Sequence, residues 1–192
     1  MNLPSLLLSA LVLAFSAADA APAATGFAWE LTVDRLSLCH AGRPVADYVF
    51  NDPQTLRPHF QNLRAPSGVQ TALTEKNGGL VVNSDGLRGA KVAWGKRAAW
   101  AAYSREIDGR LRGAAIFPAS ANPTPTWWHT RDYGVFVANG FGKLVLPSEA
   151  AGKLVLKPGA ALNLRYGVLL FDAPAASPVD FAAVNRQLQS QP

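Results

Sequence analysis

The sequence is poor in the residues that build obvious chemistry. It has one cysteine, Cys39, so an intramolecular disulfide is excluded and stability must come from packing. Cys39 sits in Leu36-Ser37-Leu38-Cys39 and reads as a small buried hydrophobe. The three histidines, His40, His59 and His129, are never two or four residues from another histidine, a cysteine or a carboxylate, so no metal site is legible and none is expected. No phosphate-cradling glycine loop occurs, and no cofactor is expected. Ser67, in Pro66-Ser67-Gly68, lacks the flanks of a nucleophile elbow and reads as a turn serine. The acids are dispersed, so no general acid/base pair stands out. No apolar run reaches membrane-spanning length, and no membrane span is expected.

The longest apolar run, Leu6 to Phe15, precedes Ala18-Asp19-Ala20, a small-x-small pattern that signal peptidase accepts. Residues 1–20 are therefore expected to be a signal peptide cleaved after Ala20, which places the protein in the periplasm or outside the cell. Removing 20 of the 192 residues leaves 172 and takes away one acid, Asp19, raising the net charge from +5 to +6. That length suits one domain with a real core. Seven Lys/Arg fall between Arg88 and Arg112 against Glu106 and Asp108 alone. Such a stretch suits an anionic partner or simply a solvated strand face, and export argues against nucleic acid.

What the chain has in quantity is short strand-like segments divided by turn residues. Candidate strands are 27–34, 45–50, 80–83, 91–104, 111–117, 128–138, 143–146, 153–156 and 162–171, with Pro158-Gly159 a strong turn signal. In Leu162 to Val168 apolar residues occupy alternate positions, which sets one face on a core. The C-terminus alone reads as helix. Ser177 is the expected N-cap, Pro178 takes the first helical position, and Phe181, Val184 and Leu188 form one apolar stripe. The expected fold is all-β, an antiparallel β-sandwich with a short C-terminal helix. Its parts are a linker at 21–26, a sandwich domain at 27–173, and a helix and tail at 174–192.

Binding chemistry concentrates in one stretch, Pro118 to Tyr133. Three prolines stiffen its start, and it then delivers Trp127, Trp128, His129 and Arg131 together. Adjacent residues of a strand point to opposite faces, so one of the two tryptophans is expected in the core.

The segment Asn122-Pro123-Thr124-Pro125-Thr126-Trp127-Trp128-His129-Thr130-Arg131-Asp132-Tyr133-Gly134 resembles the bacterial family of unknown function labelled "methane oxygenase PmoA". Two further blocks agree with it. They are Asn83-Ser84-Asp85-Gly86 with Trp94-Gly95-Lys96-Arg97-Ala98-Ala99-Trp100, and Arg57-Pro58-His59-Phe60 with Pro66-Ser67-Gly68. The resemblance covers about residues 43 to 172 and implies a truncated sandwich similar to galactose-mutarotase-like, carbohydrate-handling domains. Members of that family carry a histidine-rich block after the third segment, and here only Val69 to Asn77 stands in that place, so the chain reads as a shortened form. The label itself implies an oxygenase, for which the chain has neither spanning helices nor a legible ligand set.

The leading expectation is an exported carbohydrate-binding or carbohydrate-associated protein without strong catalysis. Trp100, Trp127 or Trp128 would stack on a sugar or other small polar ligand, and Arg57, Arg97, Asn122, His129 and Arg131 would hydrogen-bond it. Arg57, Arg97, Trp100, His129 and Arg131 are expected to converge at one mouth of the sandwich. The alternative is a mutarotase-type or lyase/hydrolase-type enzyme in which His129 is the acid or base beside Glu106, Asp108 or Asp132. A third is a structural envelope protein.

Overall fold

In the computed structural model, residues 26–71, 74–141 and 155–190 are described. The expected signal peptide, nearly all of the 21–26 linker and the 143–146 strand lie outside them, as does half of the 153–156 segment.

Strands pair antiparallel throughout. The first sheet is a meander in the order β1 (Phe27–Leu31), β2 (Arg35–His40), β3 (Arg43–Val49), β4 (His59–Gln61). After a short 3₁₀ turn at Glu75–Asn77 comes β5 (Gly79–Asn83), then a single helical turn, α1 (Ala90–Ala93). The second sheet joins β5 to β6 (Ala101–Ile107), β7 (Arg110–Pro118) and β10 (Tyr166–Pro174), in the order β10-β7-β6-β5. Between β7 and β10 lies a two-stranded hairpin of β8 (Trp127–Thr130) and β9 (Phe136–Asn139). Helix α2 (Phe181–Gln189) ends the described chain. The result is sandwich-like, mostly antiparallel β-structure with open sheets and a short C-terminal helix.

The second sheet is covered on both faces because its strands alternate two apolar sets. Val81 and Tyr103 point one way and pack with Ala90 and Ala93 of α1 and with Phe136 of the hairpin. Ala102, Ala115, Phe117 and Phe171 point the other way, where Phe181, Val184 and Leu188 close over them. Alanine and glycine at the centre let the strands approach closely. A Cβ on Gly113 would collide with the Tyr103 carbonyl and Ser104 of the neighbouring strand.

Several expectations are corrected. The 91–104 segment is not one strand: Ala90–Ala93 is helical and Gly95 takes φ +69°, a left-handed value, so β6 begins only at Ala101. The 128–138 segment breaks at Gly134, with φ +101°, which turns β8 into β9. Val155 and Leu156 belong to no strand, and β10 starts at Tyr166. Strands β2 and β4 were not anticipated. The helix cap is Asp180, not Ser177: its carboxylate accepts from Ala183 N–H at 2.9 Å, while Ser177 N–H closes a turn onto Pro174. Cys39 is half-buried on β2.

The Arg88–Arg112 stretch also resolves in part. Asp172 on β10 is buried and takes hydrogen bonds from Arg110 and from Arg112, the latter at 3.0 Å. Burial pushes the Asp172 carboxyl up, but hydrogen bonds from Ser67, Arg110 and Arg112 outweigh it and hold it at about 2. Ser67 thereby fastens the loop before β5 to the second sheet.

Candidate functional site

Strand β8 divides its residues between two environments. Trp128 and Thr130 face inward. The Trp128 ring stacks on Phe136 at 5.7 Å, its Nε1 donates to the Ala98 carbonyl at 3.2 Å, and Thr130 Oγ1 donates to the Ala90 carbonyl at 2.7 Å. Trp127, His129 and Arg131 take the other face, about 7 Å between successive side chains at the ordinary strand rise.

A second segment runs beside β8 and completes this face. Trp128 N–H donates to the Lys96 carbonyl, Gly95 N–H donates to that of Trp128, and Arg97 bridges to Trp127. These bonds put Trp94 and Arg97 on the outer row. The Arg97 guanidinium lies 4.4 Å from the centre of the Trp127 ring, and that of Arg131 lies 5.0 Å from the Trp94 ring. Trp94 Nε1 donates to His129 Nδ1 at 3.3 Å. With Nδ1 accepting, the neutral ring carries its proton on Nε2. Burial lowers the His129 pKa below its ordinary 6.5, and the charges of Arg131 and Arg57 lower it further. Arg57, in the loop before β4, thus belongs to the same neighbourhood. Among the described residues no carboxylate forms an ion pair with Arg57 or Arg131.

Arg97 also borders a groove of about 430 Å³. Its other walls are Asp85, the 118–126 loop and the end of α2. Gln189 ties that loop to the helix, accepting from Ser120 N–H at 2.7 Å and donating to the Pro118 carbonyl at 2.9 Å.

Of the eight residues singled out in the sequence, Arg97, Trp127, His129 and Arg131 fall around one strand face, and the charge of Arg57 acts on His129. Three do not. Trp100 lies on the far side of the second sheet, its ring 5.1 Å from Phe181 under α2, so it takes no part in a common mouth. Trp128 is core. Asn122 lines the groove but exchanges hydrogen bonds with the backbone of Arg165, at 2.8 and 2.7 Å, and so clamps the chain entering β10. Trp94 is the residue sequence reasoning missed as a site member. Its only signal was its place in a block shared with the resembled family, 35 residues from His129.

An arginine lies on each tryptophan of the cluster: Trp127 is buried beneath Arg97, and half-buried Trp94 lies against Arg131. The carboxylate expected beside His129 is also not its hydrogen-bond partner. Asp108 ion-pairs with Arg112 at 3.9 Å at the β6–β7 turn, Glu106 lies on β6, Asp132 is exposed just past β8, and the partner of His129 is Trp94.

What fold and site define is a sandwich-like β domain carrying a basic, aromatic-lined strand face. Residues 63–184 match a family of unknown function (DUF6807), and the chain belongs to it. Neither a curated protein nor a solved structure matches the chain. No described helix is long and apolar enough to cross a membrane.

Proposed function

We propose that the chain is an exported carbohydrate-binding or carbohydrate-associated protein whose ligand carries an anionic group, and that it acts without strong catalysis. The observation that carries this reading is His129 held by Trp94, with the Arg131 guanidinium on the same indole. An imidazole and a guanidinium grouped on one tryptophan, with the charge of Arg57 also acting on the imidazole, suit a carboxylate or sulfate substituent. The groove beside Arg97, where Ser120, Asn185 and Gln189 stand among alanines and prolines, offers a mixed polar and apolar surface for the uncharged remainder of such a ligand. Trp94 and Trp127 then act as backing that orients the arginines rather than as stacking platforms.

The chain also resembles the proteins labelled "methane oxygenase PmoA", as a shortened form lacking their histidine-rich block. Supporting it, residues 69–77 contain no histidine. The residues do not fit the copper centre that label implies. His40 packs on Phe27, His59 Nδ1 approaches the Arg57 carbonyl, and His129 is held by Trp94. Among the described residues no three His, Cys, Asp or Glu gather.

The test is calorimetric titration against matched acidic and neutral oligosaccharides. Heat is expected with the acidic members. Arg131→Ala should weaken that binding by about 1–3 kcal/mol, the loss for a hydrogen bond to a charged group, with the unfolding midpoint unchanged. His129→Gln should lower affinity only, whereas an enzyme would lose turnover. No heat with any member, or equal heat with neutral ones, overturns the proposal.

A further inference from the structure

The first sheet has two unlike faces. On one, Asp47 accepts from Ser37 at 2.7 Å and from Asn62 at 2.8 Å, a polar network closed on itself. The other face is apolar and largely uncovered. On the edge strand β1, Phe27 is 68%, Trp29 55% and Leu31 71% exposed, and Val33 just beyond is 87% exposed. Cross-strand pairing continues this face through Leu38 and Leu36 to Tyr48, and then to Phe60, which is 52% exposed and 4.9 Å from the Tyr48 ring. The one charge on β1, Glu30, pairs with Ser37 and lies on the polar face.

An edge strand this apolar, with neither lysine nor proline to guard it, departs from the way solvent-facing edges are normally protected. The exposed side chains amount to roughly 500–700 Å² of apolar surface per chain, at or above the largest patch an ordinary monomer shows and close to the ~800 Å² per partner of a stable interface.

We propose that this face binds a second copy of the chain, the two first sheets stacking face to face about a two-fold axis at the ordinary sheet separation of about 10 Å. Self-association is favoured because the interior of the face bears no formal charge, so a copy meets no like charge there. The nearest basic residue on it, Arg43, sits at the β2–β3 end. None of the basic residues from Arg88 to Arg112 lies on a strand of this sheet.

Sedimentation of the purified chain over a concentration series tests it. A reversible dimer is expected, and Trp29→Asp should raise its dissociation constant roughly 30-fold or more, as for an interface hot spot. Glu30→Lys, on the opposite face of the same strand, should leave the dimer intact. If Trp29→Asp fails to fold, Phe60→Ser reads the same face from the far strand. Wild-type chain that stays monomeric at every concentration overturns the proposal and assigns the face to other residues of the chain or to a different protein. A dimer indifferent to both Trp29→Asp and Phe60→Ser overturns it equally.

Discussion

Trp128→Ala is expected to lower the free energy of unfolding by about 3–5 kcal/mol, the usual cost of truncating a fully buried tryptophan. The ring is 0% exposed, stacked on Phe136, and its N–H satisfies the Ala98 carbonyl. Truncation therefore opens a cavity and strips a hydrogen bond from the segment that carries Trp94 and Arg97. For a domain whose whole stability is about 5–15 kcal/mol, that is a large fraction. A urea titration should show the midpoint falling sharply, with Trp128→Phe intermediate because it keeps part of the ring against Phe136. A stable Trp128→Ala protein with impaired ligand binding would mean that the ring serves the ligand instead of the core.

The second large effect is expected at Asp172. Replacing it with asparagine leaves Arg112, itself buried, with only the long contact to exposed Asp108 at 3.9 Å, and breaking a buried pair from one side costs about 3–5 kcal/mol. The pH dependence has a definite sign. The folded carboxyl is held at about 2, below its ordinary 3.8, so the folded state favours the ionised form. Its contribution is complete above about pH 4 and is lost as pH falls through about 2. Asp34, also lowered to about 2 by hydrogen bonds from Arg35 and Thr32, titrates in the same window. The difference between wild type and Asp172→Asn, followed by urea unfolding from neutral pH down to about 2, isolates the buried group. It should shrink towards the acid end. A gap that stays constant throughout would show that the carboxylate charge is not what holds the two arginines.

Strand-forming segments could be read along most of the chain because alternation is a local property. The 80–83 and 111–117 segments sit inside β5 and β7, and the stripe Phe181, Val184, Leu188 is the face that α2 buries. Boundaries fared worse where a glycine takes a left-handed conformation inside an apolar run, as at Gly95 and Gly134. Strand β2 went unread although Leu36-Ser37-Leu38 alternates, and β4, at three residues, is too short for a period to show.

For the candidate site, the chain order of Trp127, Trp128, His129 and Arg131 already required that a strand send them alternately to two faces, with one tryptophan inward. Which tryptophan, and what meets the outer row, depended on contacts distant in sequence. Trp94 reaches His129 across 35 positions, and Asp172 reaches Arg110 across 62. Trp100 belongs to the same sequence block as Trp94, yet it lies under α2 because the chain enters β6 between Arg97 and Ala101 and turns to the other side of the sheet. Local spacing thus determined strands such as β5 and β7, the two-sidedness of β8 and the helix stripe, since a side chain's direction follows from backbone geometry within a few residues. Only the tertiary structure decided which side became core, which aromatic rings were covered by arginines and which apolar face was left open, since each depends on segments that meet only after folding.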